Sequence, residues 1–226
     1  VRAQCGKVLL IASSLTIPDQ LPVDCVVGHM IESQENQIYQ ILSGLQYAPV
    51  EKSVLAYREP EVACNFDVKK VFVAIGSWKD PDSLFSILNG LNEAQYELHV
   101  EVLLSLAHQD YLPELRKYEK EINIKFLQNV PSVYPYLREA DIVICSYGNL
   151  LFEAMSLGRP CAVVGLKKFQ SLYSKILAEQ ELIYFMGDSK KLSTYDINNM
   201  LNLLNWEYRK KLSINGIEKI DGLGIQ

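Results

Sequence analysis

The 226-residue sequence has no apolar run of the roughly 18 residues that a membrane-spanning helix requires. Val1–Lys7 is not followed by the long apolar stretch and small-residue cleavage site of a secretory leader. Cysteine is sparse and irregular: Cys5, Cys25, Cys64, Cys145 and Cys161 are scattered, with no Cys-x-x-Cys pair. A disulfide framework or a structural zinc site would need a regular, even set. Cys25, Cys145 and Cys161 lie inside apolar runs and read as buried free thiols of a cytoplasmic protein. Excess positive charge is also missing, with 22 Lys and Arg against 27 Asp and Glu. That excludes nucleic acid as the main partner, because a phosphate backbone is held by a basic surface. A mononucleotide stays open, since a single helix N-terminus can hold its phosphates.

Several catalytic signatures are absent too. The sequence contains no Walker loop, no Gly-x-Gly-x-x-Gly and no Gly-x-Ser-x-Gly elbow. No carboxylate cluster suits a metal, so no metal or other cofactor is expected. Of the three histidines, His29 ends an apolar run, His99 lies within one and His108 sits in a polar loop. All three read as packing or solvent-facing positions rather than as a catalytic base.

What is present is alternation. Short apolar runs occur at Val8–Ser13, Cys25–His29, Lys70–Ile75, Leu98–Ser105, Ile122–Leu127, Asp141–Cys145, Pro160–Gly165 and Leu182–Met186. Most are nearly continuous and β-branched, as strands buried on both faces are. Helical patterns lie between them at Asp82–Leu91, Leu112–Glu121, Asn149–Leu157, Phe169–Glu179 and Tyr195–Leu212. Strand and helix in turn predict an α/β protein with a doubly wound parallel sheet. Glu51–Asp67 lacks periodicity and reads as a linker. Residues 1–67 are therefore expected to be the end of a partial N-terminal α/β domain plus a linker, and 68–226 a ligand-binding α/β domain closed by a C-terminal helix packing back toward the N-terminal part. The chain opens on Val1 rather than Met, and its first segment reads as the interior of a longer polypeptide. An apolar first strand without partners predicts an exposed sheet edge, and with it a homodimer.

In open α/β sheets, ligands bind beyond the carboxyl ends of the strands. Two such ends stand out, Ile75-Gly76-Ser77 and Cys145-Ser146-Tyr147-Gly148-Asn149. In the second a strand, a small-residue turn and a helix follow without interruption. Gly148 permits close backbone approach, Asn149 is a good N-cap, and the helix start favours an anion. Glu153 lies one turn on, where a carboxylate can accept from a ribose diol. Gly158 is expected to end the helix.

The pattern Ala-Asp-Ile-x-Ile … Gly-x-x-x-x-Glu-x-x-x-x-Gly-x-Pro over Ala140–Pro160 resembles the Rossmann-like C-terminal domain of GT-B sugar-nucleotide enzymes. It is most similar to the UDP-sugar hydrolase of pseudaminic acid biosynthesis and its spore-coat polysaccharide relatives, and more distantly to the lipid-II glycosyltransferase. Gly44-Leu45-Gln46-Tyr47, Val71–Ser77 with Asp80-Pro81, Asn129-Val130, Gln170 and Asp221–Gly224 resemble further family motifs in the same order. The resemblance implies that Gly148 and Asn149 cradle a diphosphate and that Glu153 holds the ribose. Backbone near Val130 would read the uracil, Gln170 would reach the sugar, and Gly76 and Ser77 would face the interdomain cleft. The implied partner is UDP or a UDP-sugar. The implied activity is hydrolysis of a nucleotide-sugar to free sugar and UDP in bacterial surface-polysaccharide or nonulosonate biosynthesis. A glycosyltransferase using the same pocket and a catalytically inactive scaffold domain are the alternatives.

The sequence also departs from the family. Tyr147 stands where the family has Gly, a side chain expected to crowd the phosphate. Leu150 replaces a small hydroxyl residue and Phe169 replaces Asn. The family's N-terminal Gly-x-Gly-His-x-x-Arg, which carries its proposed water-activating base, has no counterpart here.

Overall fold

The computed structural model describes residues 7–12, 16–18, 20–30, 38–59, 64–76, 81–94 and 96–223. They form two parallel sheets. The smaller has strands β1 (Leu9–Ile11), β2 (Cys25–Gly28) and β3 (Gln40–Ser43), in that order. The larger has β4 (Lys70–Ala74), β5 (His99–Leu103), β6 (Ile124–Leu127), β7 (Ile142–Ser146), β8 (Cys161–Gly165) and β9 (Tyr184–Asp188). Its strand order is β6-β5-β4-β7-β8-β9, so the winding direction reverses between β4 and β7. The α/β class with a doubly wound parallel sheet is the one the alternating runs predict.

Alternation along each buried strand sorts side chains to two faces. From β4, Val71, Val73 and Ile75 go to one core with Ile142 and Ile144 of β7. Helices α1 (Asp82–Glu93) and α6 (Thr194–Leu203) cover that face. Helix α1 does so because Leu84, Ile87, Leu88 and Leu91 repeat at helical spacing. Phe72 and Ala74 go to the other face with Val143 and Cys145, under α3 (Tyr134–Glu139), α4 (Asn149–Ser156) and α5 (Lys168–Glu179). Between the two strands Asp141 acts as a pin. Its buried carboxylate accepts from the backbone N–H of Lys69 and Lys70, each at 2.8 Å, and from Asn65 Nδ2 at 2.7 Å.

Some expectations need correction. Strand β3 lies in a segment without a strong apolar run; it is paired to β2 and half-buried. The expected helix over Leu112–Glu121 is a single α turn, α2 (Leu112–Leu115), continued by a 3-10 segment over Arg116–Lys120. The expected helix over Tyr195–Leu212 breaks at Leu204, and Asn205 caps α7 (Trp206–Lys219) by accepting from Tyr208 N–H at 3.0 Å. Helix α7 packs against α4 and onto the linker. Arg58 donates to the carbonyls of Asp221 and Ile217, and Trp206 Nε1 donates to that of Cys64. Cys145 and Cys161 are buried thiols, but Cys25 is only half-buried because the small sheet is thinly covered. The edge strand β1 leaves Leu9 60% and Ile11 68% exposed. Ser13 lies outside the described residues, as does Gly224 of the C-terminal signature. No helix among the described residues is long and apolar enough to cross a membrane.

Candidate functional site

At the carboxyl ends of β4 and β7, on either side of the reversal, the two strands diverge and leave a cleft of about 780 Å³. Gly76 and Gly148 face it from the two strand ends. Ser105 joins from the end of β5, and Lys167 and Gln170 from the start of α5. Leu103, Leu104, Leu150 and Leu166 supply an apolar wall.

The turn after β7 decides what the cleft can hold. Gly76 sits at φ 35°, and a Cβ there would come within 3.2 Å of Ser146 Oγ. A side chain at Gly76 is therefore strained by the protein's own backbone, and Ser146 would have to give way to it. Gly148 is different. Its φ of 168° is extended, a conformation open to any residue, and a Cβ there would meet no protein atom within 4 Å. Neither the backbone nor packing requires a glycine at that position, and the space over it is open. Gly148, not Asn149, is the N-cap of α4, and no side chain caps the helix. The first N–H groups of the helix thus open toward the cleft, where the dipole favours an anion. Gly158, at φ 68°, ends the helix as expected.

The ring of Tyr147 does not crowd this turn. It swings out of the cleft into the body of the protein, 5.5 Å from the Phe152 ring and 5.3 Å from that of Tyr173. Its hydroxyl meets Nε2 of His29 at 3.0 Å. Burial raises the pKa of the Tyr147 phenol and lowers that of His29, so both are neutral and share one hydrogen bond. The backbone carbonyl of Tyr147 accepts from Gln170 Nε2 at 2.8 Å. That bond fixes the carboxamide, whose Oε1 is buried without a partner.

The structure thus gathers Gly76, Gly148, Asn149 and Gln170 on one cleft wall. Glu153 and Val130 do not line that wall; Ser77 lies outside the described residues. Val130 is half-buried against the core under α3. Glu153 points toward Tyr134, whose hydroxyl donates to it at 3.5 Å and to Glu51 of the linker at 2.7 Å. Burial, and then the nearby Glu51, raises the pKa of Glu153. Burial and the bond to Glu51 push the Tyr134 phenol up to about 12. Glu51 itself is lowered by its bonds from Ser53 and Tyr134. The remaining histidines, His99 and His108, do not line the cleft. His108 is buried and its Nδ1 accepts from the Ser105 N–H, while His99 meets Asn123 at 3.1 Å at the opposite end of the sheet.

Sequence reasoning did not single out Ser105 or Lys167. The signal was available: each directly follows a strand or the turn after it, so the strand-end rule applied to β5 and β8 finds both. Among the described residues, no group of three or more His, Cys, Asp or Glu could hold a metal ion.

No protein-family model matches the chain. It is 21% identical over 211 residues to the spore coat polysaccharide biosynthesis protein SpsG of Bacillus subtilis (strain 168), covering 89% of this chain and 62% of that protein. Among solved structures it resembles MurG of Acinetobacter baumannii, with a TM-score of 0.65, 14% identity, and coverage of 89% of this chain and 57% of that one. It also resembles the spinosyn rhamnosyltransferase SpnG, with a TM-score of 0.61, 15% identity, and coverage of 88% and 52%. The chain therefore spans less than two thirds of the length of each of these proteins. The structural likenesses share its α/β fold.

Proposed function

We propose that the chain is the nucleotide-binding part of a sugar-nucleotide enzyme of surface-polysaccharide or nonulosonate biosynthesis, acting in the cytoplasm. The observation that carries this reading is Gly148, a glycine that neither backbone nor packing requires, set at the uncapped start of α4 over an open cleft. A diphosphate fits there. Its oxygens would accept from the first N–H groups of the helix, with Lys167 supplying a cation on the same wall. Residues 1–67 then belong to the end of an N-terminal domain and its link, and residues 68–226 to the nucleotide-sugar domain. Similarity to SpsG supports the polysaccharide context, and the structure of SpnG with thymidine diphosphate supports a nucleoside diphosphate as ligand. Within the same reading, Glu153 turns to a ribose diol and the backbone at Val130 to the base.

The reaction we favour is hydrolysis of a UDP-sugar. Water adds at the anomeric carbon, the C–O bond to the diphosphate breaks, and UDP leaves with the bonding pair. The proton of the attacking water passes to a base. Glycosyl transfer to a hydroxyl acceptor is the second reading. The likeness to the spinosyn rhamnosyltransferase SpnG supports it. Incubation with a panel of UDP- and thymidine-diphosphate sugars, followed by chromatography, separates the two. Free sugar with nucleoside diphosphate supports hydrolysis. Turnover only when an acceptor is added supports transfer, and a panel left intact in both cases contradicts an enzymatic role for this chain.

A further inference from the structure

The cleft wall opposite the phosphate turn carries a hydroxyl with an unusual support. Ser105 follows β5 and lines the cleft, and the buried His108 lies three positions further on. His108 Nδ1 accepts from the Ser105 backbone N–H at 3.0 Å, which places the ring proton on Nε2. The same Nδ1 lies 3.0 Å from Ser105 Oγ. A ring nitrogen without a proton can only accept, so it draws the hydroxyl hydrogen toward itself. Oγ also accepts from the His108 backbone N–H in the capping box of this 3-10 turn, which leaves one lone pair for the cleft.

Gln170 shows the same polarity for an independent reason. Its Nε2 is committed to the Tyr147 carbonyl, and its Oε1 is buried without a partner. A buried acceptor left bare costs free energy until a donor arrives. The cleft therefore has two kinds of polar wall. At the turn, N–H groups and Lys167 suit an anion; at Ser105, an acceptor suits a hydroxyl or amide N–H donor.

We propose that Ser105 is a ligand-contacting residue, held by His108 as its positioning residue, and that it accepts a hydrogen bond from the glycosyl part of a nucleoside diphosphate sugar. This rests on the reading of the cleft as a sugar-nucleotide site. It adds a contact that discriminates the glycosyl group from the nucleotide: a bare nucleoside diphosphate gains nothing from Ser105, and a sugar rich in donors does.

The test is calorimetry on the whole chain with UDP, thymidine diphosphate and a panel of UDP-hexoses and UDP-N-acetylhexosamines. At least one sugar conjugate is expected to bind more tightly than its free diphosphate. Ser105→Ala is expected to weaken that conjugate about fivefold, the effect of one neutral hydrogen bond, and to leave the free diphosphate unchanged. Ser105→Thr keeps the hydroxyl and is expected to restore the difference. His108→Gln should reproduce the selective loss, whereas a purely structural role would weaken both ligands together. Equal weakening of both ligands by Ser105→Ala, no weakening of either, or no conjugate better than its free diphosphate overturns the role of Ser105 while leaving the nucleotide site standing. Failure of the unaltered chain to bind any ligand of the panel overturns the nucleotide reading and this proposal with it.

Discussion

The hydroxyl of Tyr147 lies 3.0 Å from Nε2 of His29, a contact between residues 118 positions apart. It joins the turn after β7 to the end of β2, and so one sheet to the other. It also explains how a tyrosine is accommodated beside a phosphate-sized cleft. The ring packs between Phe152 and Tyr173. His29 edges onto Phe152 with ring centroids 4.7 Å apart, so the imidazole is a packing residue of this junction.

Tyr147→Phe keeps the ring and removes the hydroxyl. It is expected to cost about 1 kcal/mol in a urea denaturation, the net worth of one hydrogen bond. UDP affinity is expected to change by less than about twofold, because the phenol points away from the cleft. A loss of affinity much larger than the loss of stability would place the phenol in the site instead.

Glu153 offers a separate test. Burial and the charge of Glu51 raise its folded pKa above the ordinary carboxylate value. A raised carboxyl stabilises the fold while protonated, and this contribution is lost as pH rises through the folded pKa. Glu153→Gln is therefore expected to melt higher than the unaltered chain at pH 7. The gap should close as pH falls below the range where Glu153 ionises. The same substitution is expected to weaken UDP binding, since an amide accepts less strongly from a diol than a carboxylate does. A variant that melts lower at pH 7 would contradict the pKa assignment.

The histidines predict a pH dependence of the opposite sense. Burial depresses the folded pKa of both His29 and His108 below 6.5. The unfolded chain then takes up protons first, so stability is fully present above pH 6.5 and falls as pH drops toward the folded values. Melting temperatures followed from pH 7.5 downward should show this decline, and His29→Gln should flatten part of it. A flat profile through that window would show that neither imidazole is held neutral by the fold.

How much of this was legible in the sequence varies with the range of the interaction. The large sheet was readable because its central strands β4, β7 and β8 are buried on both faces, which leaves continuous apolar runs such as Ile142–Cys145. Strand β3 was not, because its Gln40 faces solvent and the rest is half-buried. The break at Leu204 was hidden because Asn205, a good cap, sits inside an otherwise helical pattern. At the site, Gly148 was readable as a local strand–turn–helix signal. The harmlessness of Tyr147 was not, since it depends on His29, Phe152 and Tyr173, which only the tertiary structure brings together. Asp141 is an intermediate case: the Ala-Asp-Ile pattern was visible, but its three bonds to Asn65, Lys69 and Lys70 were not.

Asp141→Ala should therefore be costly although Asp141 lies outside the cleft. It strips partners from the N–H groups of Lys69 and Lys70 and from the Asn65 amide, at the junction of β4 and β7. A loss of about 2–4 kcal/mol in urea denaturation is expected. A loss below about 1 kcal/mol would mean that water replaces the carboxylate freely at this junction.

The measurement that bears most directly on the account is UDP binding by calorimetry for the unaltered chain beside Gly148→Ala. The added methyl meets no protein atom within 4 Å and the backbone is extended, so the melting temperature should not move. The account predicts saturable UDP binding by the unaltered chain and at least a tenfold loss, about 1.4 kcal/mol, in the variant. Equal binding by both proteins would contradict the claim that a diphosphate sits against the Gly148 backbone.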